Sequence, residues 1–132
     1  MKSAPPPDRQ RLGRDAEDAA VRFLEARQLT ILARNYRCRS GELDIVAETA
    51  QGVVVIAEVR LRADRRYGGG AASVDWRKQR RIQRATCHLL ARLPALARRP
   101  MRFDVLDLEP GPEGSEEYRI AWIRHAFEAT PR

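Results

Sequence analysis

Apolar residues recur along this chain with two periods, and the switches between them outline its elements. Ala16, Ala19, Ala20, Phe23, Leu24 and Arg27 fall at helical spacing and predict a first helix, with Asp8 or Asp15 as candidate caps. Glu17 lies beside that stripe, on the flank with Val21 and Leu24, so it faces either solvent or a neighbouring sheet. From Leu29 to Tyr36 the spacing of Leu and Ile predicts a first strand. Two runs rich in β-branched residues follow, Gly41-Glu42-Leu43-Asp44-Ile45-Val46 and Val53-Val54-Val55-Ile56-Ala57-Glu58-Val59-Arg60. They are separated by the turn-like Thr49-Ala50-Gln51-Gly52, which reads as a β-hairpin. Alternation puts Leu43, Ile45, Val53, Val55 and Val59 on one face and Val46, Val54 and Ile56 on the other. Both faces being apolar, the sheet should be covered on both sides.

The second helix has the clearest stripe: Ile82, Ala85, Thr86, Leu89, Leu90 and Leu93, opened by Ser73 or Asp75 and stopped near Pro94. Between hairpin and helix, residues 61–72 form a loop containing Tyr67-Gly68-Gly69-Gly70. It has neither the ending of a P-loop nor the spacing of a dinucleotide-binding turn, so mobility is the simpler meaning of its glycines. Met101 to Leu108 predicts a fourth strand and Tyr118 to Arg124 a fifth. Residues 1–10 read as a Pro-rich disordered tail, 11–126 as a single domain and 127–132 as a short C-terminal tail.

Acids interrupt the apolar hairpin. Asp44 and Glu58 share a face only if the loop holds an odd number of residues, or a bulge does the same work. A loop of Ala50 to Gly52 puts Asp44 opposite Glu58 and Glu42 opposite Arg60. Two carboxylates so placed have Cβ atoms about 5 Å apart. At an effective dielectric of 20 they repel by on the order of 3 kcal/mol. A positive group should therefore sit between them: a divalent cation such as Mg²⁺, which one or two carboxylates commonly hold, or an arginine.

Composition narrows the classes. The chain has 132 residues, enough for one domain with a real core, and its 43% hydrophobic and 6% aromatic content fits a globular protein. No run approaches the roughly 18 apolar residues of a membrane span, and the N-terminus lacks the apolar centre of a signal peptide, so a cytoplasmic location is expected. Cys38 and Cys87 are too few for a disulfide framework, and with His88 and His125 they make no metal-ligand spacing. Charge is more specific. Arg60 to Arg84 carries nine Lys or Arg against Asp64 and Asp75, so the entire surplus of +7 lies in one segment. Such a stretch directly after an acidic strand end suits a phosphate grip by Arg62, Arg65, Arg66, Arg77, Arg80, Arg81 and Arg84. A solvated helix face is the plainer alternative.

The order α, β, β, β, α, β, with acids at Glu17, Asp44 and Glu58, resembles the YraN-like family of bacterial proteins. The resemblance spans roughly residues 12–108. It rests on Gly13 with Glu17, Asn35-Tyr36-Arg37, Gly41-Glu42-Leu43-Asp44, Glu58-Val59-Arg60, Tyr67-Gly68, Lys78 and Arg102-Phe103-Asp104. It implies an α/β fold of the restriction-endonuclease and Holliday-junction-resolvase type, an αβββαβ core whose mixed sheet is flanked by helices on both faces. It further implies Mg²⁺ or Mn²⁺ on Asp44 and Glu58, with the Val59 backbone carbonyl as a further ligand and Glu17 approaching from the first helix. The family's motif ends in lysine where this chain has Arg60, and arginine's planar fork is a different tool. Lys78 is either an ordinary surface lysine or the ammonium that reaches the same pocket. The expected function is metal-dependent hydrolysis of phosphodiesters in structured or branched DNA, with Arg60 or Lys78 stabilising charge and a homodimer implied only by likeness to junction resolvases. A non-catalytic nucleic-acid-binding domain and a protein-interaction module are the rival readings.

Overall fold

The computed structural model describes residues 9–62, 74–112 and 117–129, in the order α1 (Arg9–Ala26), β1 (Thr30–Cys38), β2 (Gly41–Glu48), β3 (Val54–Leu61), α2 (Trp76–Arg92), α3 (Pro94–Ala97), β4 (Met101–Pro110) and β5 (Tyr118–Phe127). The N-terminal eight residues, Arg65, Arg66 and the Tyr67 to Gly70 run lie outside the described residues. Asp15 falls inside α1 and does not cap it.

The strands form one five-stranded sheet in the order β1-β2-β3-β4-β5. Neighbours are antiparallel except β3 and β4, which are parallel and are joined through α2, as parallel strands require a long crossover. Apolar faces on both sides of the sheet are covered, as the double-sided hydrophobicity of the hairpin predicts. On one face Ala16, Ala19, Ala20 and Leu24 of α1 pack over Ile45, Val55, Ala57, Leu106 and Leu108. On the other, Ile82, Ala85 and Leu89 of α2 pack over Val46, Val54, Ile56 and Val105. Each fully buried aliphatic side chain of this kind stabilises the fold by about 1.5–3 kcal/mol.

The hairpin loop has the odd length the acids require. Pairing runs from Glu48↔Val54 to Ile45↔Ala57, leaving five residues centred on Gln51. Thr49 N–H donates to the Val53 carbonyl at 2.9 Å, which tightens the loop further. Gly52 sits at φ +88°, a region open to glycine, and its carbonyl accepts from Arg99 Nε at 2.9 Å. One expectation fails: Leu43 packs under α2 with Val46, on the opposite face from Ile45. Alternation is broken between them, at Asp44.

Of the two candidate caps for α2, Asp75 takes the position, while Ser73 lies outside the described residues. Asp75 is the N-cap, its carboxylate accepting the Lys78 N–H at 2.9 Å. Capping fixes where the first turn begins and so where Trp76, Arg77 and Lys78 point.

Candidate functional site

The break in alternation builds the site. In β1, Asn35 has φ +51°, a left-handed conformation that Asn tolerates better than most residues. Arg34 therefore turns to α1, where it pairs with Asp18 at 2.6 Å, while Tyr36 turns to α2 and hydrogen-bonds His88. Asn35 lies across from Asp44, between the rungs Arg34↔Ile45 and Tyr36↔Leu43. Both strands reverse their faces at this point. Asp44 consequently takes up the Val59 N–H, its Oδ2 accepting at 2.9 Å, and the β2–β3 ladder stops at the preceding rung. The two strands part there. A cavity of about 600 Å³ opens between them, lined among others by Asp44, Glu58, Lys78, Glu42, Arg37 and Arg81.

The cavity lies at the carboxyl end of β3, beside the first turns of α2, the end of a parallel pair where open α/β sheets hold ligands. Gly41 permits this closeness. A Cβ there would stand 3.0 Å from the Arg81 carbonyl oxygen and 3.3 Å from its Cβ.

The carboxylates perturb one another. Glu58 is buried, and its pKa is pushed from the ordinary 4.5 up to about 8, first by burial and then by the negative charge of Asp44. Lys78 opposes this by hydrogen bond and charge, its Nζ lying 2.5 Å from Glu58 Oε1. The Asp44 carboxyl also lies within hydrogen-bonding reach of Glu58, which adds a smaller push in the same direction. Glu17 reaches the same region from α1. Its pKa is raised, mainly by burial and then by Asp44, and Asn35 hydrogen-bonds to it. Its Oε1 is buried without a hydrogen-bond partner, with Arg34 Nε at 3.9 Å.

A positive group does reach the acids: Lys78 of α2 pairs with Glu58, a partner that hairpin spacing alone does not suggest. Lys78 belongs to the site, although at 48% exposure its side chain also meets solvent. Arg60 lies two residues beyond Glu58 in β3, in register with Asp107, and does not line the cavity. Val59 contributes its N–H to Asp44, and its side chain packs on the α1 face. Arg62 pairs with the buried Asp107 at 2.9 Å, so it has a structural partner in the sheet. Arg77, Arg80, Arg81 and Arg84 all lie on α2 with solvent access, and Arg81 borders the acid cavity. Among the described residues no three His, Cys, Asp or Glu side chains are grouped closely enough to hold a metal ion by themselves.

Sequence reasoning gave no role to Asp104, which is fully buried in β4. Its carboxylate accepts from Arg102 Nε, Trp122 Nε1 and the His125 N–H, and it holds the bulge where β5 passes β4. A charged residue between Phe103 and Val105 in an apolar strand is the signal that marks it.

Fold and site together define a mixed α/β protein whose clustered carboxylates face an arginine-rich helix. The profile of the uncharacterised protein family UPF0102 matches residues 16–108. The chain is 44% identical over 129 residues to a UPF0102 protein of Cupriavidus taiwanensis, covering 98% of this chain and 92% of that relative. It is 46% identical over 115 residues to one from Alcanivorax borkumensis (87% and 90% covered), and 45% over 119 residues to one from Symbiobacterium thermophilum (90% and 98%). The chain belongs to the UPF0102, or YraN-like, family. No helix among the described residues is long and apolar enough to cross a membrane.

Proposed function

We propose that this protein has a restriction-endonuclease-like core and acts as a metal-dependent endonuclease on structured or branched DNA. The observation that carries the reading is the convergence of Asp44 and the buried Glu58 in an open cavity, beside Lys78 and the arginines of α2. Carboxylates forced together in this way are costly without a cation, and burial that raises Glu58 to about 8 is typical of a working acid more than of a surface ion pair.

The donor set suits a hard divalent ion. Asp44 and Glu58 offer carboxylate oxygens, the orphaned Glu17 Oε1 is an unused acceptor nearby, and Mg²⁺ or Mn²⁺ commonly completes so small a protein contribution with water and phosphate oxygens. When bound, such an ion lowers the pKa of a coordinated water and neutralises charge developing on the phosphate. The chain's own residues do the rest. Arg77 and Arg81 hold the nucleic-acid backbone over the cavity, and Lys78, freed from Glu58, offers its ammonium to the non-bridging phosphate oxygens. Arg60 keeps the positive charge of the motif position without lining the cavity.

The test is cleavage of branched DNA with Mg²⁺ or Mn²⁺. Asp44→Asn and Glu58→Gln should abolish both metal binding and cleavage while leaving the fold intact. Lys78→Ala should slow cleavage about a hundredfold, the usual loss for one transition-state charge contact, and Arg60→Ala should change it little. The rival reading, a non-catalytic nucleic-acid-binding domain, draws support from the Lys78 ammonium that already occupies a place against Glu58. Branched-DNA binding without cleavage under either metal, in the wild type and in Arg60→Lys, decides for that rival.

A further inference from the structure

Trp76 is out of place for a residue with only a structural task. It opens α2 and is 60% exposed, more than any other large apolar side chain among the described residues. The guanidinium of Arg80, one turn on, lies over its ring at 4.8 Å from the centroid. Residues 76 and 78 are about 200° apart around a helix, so Trp76 and Lys78 leave the first turn on opposite flanks. Lys78 meets the acids. Trp76 borders a second and larger groove, about 900 Å³, between α2 and the β4–β5 pair.

The sheet side of that groove is aromatic as well. Phe103 and Phe127 stack nearly parallel, with centroids 4.8 Å apart and planes at 12°, and His125 is exposed beside them. Its rim on α2 is basic: Arg80 and Arg84 line it, with Glu128 as the only acid there among the described residues. An exposed indole, a planar guanidinium stacked on it and a cationic rim match a nucleobase with its phosphate, and they match an acyl chain or an apolar peptide poorly. The volume lies within the range of about 300–1,000 Å³ usual for small-ligand sites.

Resting on the nucleic-acid reading above, we propose that this groove is a stacking subsite for an unpaired base, with Trp76 as the platform and Arg80 and Arg84 on the flanking phosphates. A base inside a duplex is stacked on both faces and cannot enter. The substrate class that uses the groove and the acid cavity together therefore carries a single-stranded segment next to the scissile backbone: a flap, a gap or a splayed arm. The first turn of α2 divides the two sites, so one strand crossing it would present a base to Trp76 and a phosphate toward Lys78.

The experiment uses the full chain without divalent metal, titrated with a thymidine decanucleotide and with a blunt duplex. The single strand should quench tryptophan fluorescence, and the quench should vanish in Trp76→Phe, since the only other indole is Trp122. Trp76→Ala should weaken single-strand binding about ten- to a hundredfold, the worth of one base–aromatic stack, and change duplex binding by less than twofold. Trp76→Phe, which keeps a ring and so controls for the fold, should retain most of the affinity. Equal losses for single strand and duplex, or none for either, overturn the subsite and leave the wider nucleic-acid reading standing. A wild type that binds neither probe overturns both.

Discussion

At the scale of residues, the acid pair is a pH-dependent element of stability. Glu58 has its pKa raised from 4.5 to about 8 in the folded chain, so between those values the native state holds a proton that the unfolded state releases. The stabilisation from protonating Glu58 is fully present below about pH 4.5, declines as pH rises and is gone once pH passes 8. Its size is on the order of a few kcal/mol, since a tenfold change in proton affinity corresponds to about 1.4 kcal/mol, with the opposing pull of Lys78 already contained in the value of about 8. Glu58→Gln mimics the protonated carboxyl at every pH. Denaturant titrations without metal should show wild-type stability falling relative to this variant from pH 5 to pH 9, with the variant the more stable at the upper end. Parallel curves across that range would mean that the fold does not hold Glu58 above its ordinary carboxyl range.

At the scale of elements, helix and hairpin positions were legible because period and odd loop length are properties of residue order. The stripe from Ile82 to Leu89 and the centring of the loop on Gln51 needed nothing else. The reversal of faces at Asn35 and Asp44 is not legible in the sequence: a positive φ leaves no mark in an apolar pattern, so simple alternation places Leu43 on the face opposite the one it occupies. Lys78 could be placed on α2 from sequence, but its pairing with Glu58 depends on how closely the helix approaches β2. That approach is set by Gly41, whose absent Cβ leaves room for the Arg81 backbone. Gly41→Ala forces backbone against Cβ and should destabilise the fold by about 1–3 kcal/mol, as overpacking does. Ser40→Ala, at an exposed position in the same turn, should stay within about 0.5 kcal/mol. Equal denaturation midpoints for the two variants would show that α2 has slack at this contact.

At the scale of the whole molecule, charge separates by position. The surplus of +7 comes from the segment Arg60 to Arg84, but the fold uses part of it internally, since Arg62 is committed to Asp107 and Lys78 to Glu58. Arg77, Arg81 and Arg84 are different: all three are exposed on α2, and none makes an ion pair among the described residues. Arg81 lines the acid cavity and Arg84 the stacking groove, with Arg77 in the first turn of the same helix, so a strand engaging either site passes close to α2. Each phosphate neutralised releases condensed counterions, which makes the slope of log affinity against log salt a count of contacts, about 0.9 per phosphate on duplex DNA. Replacing Arg77, Arg81 and Arg84 by Ala should weaken duplex binding uniformly across sequences and reduce that slope by about 2.7, with Trp76 quenching by a single strand reduced in affinity but still present. A slope unchanged in the triple variant would place the phosphate grip away from α2, and both sites would then lose the backbone contacts that deliver a strand to them.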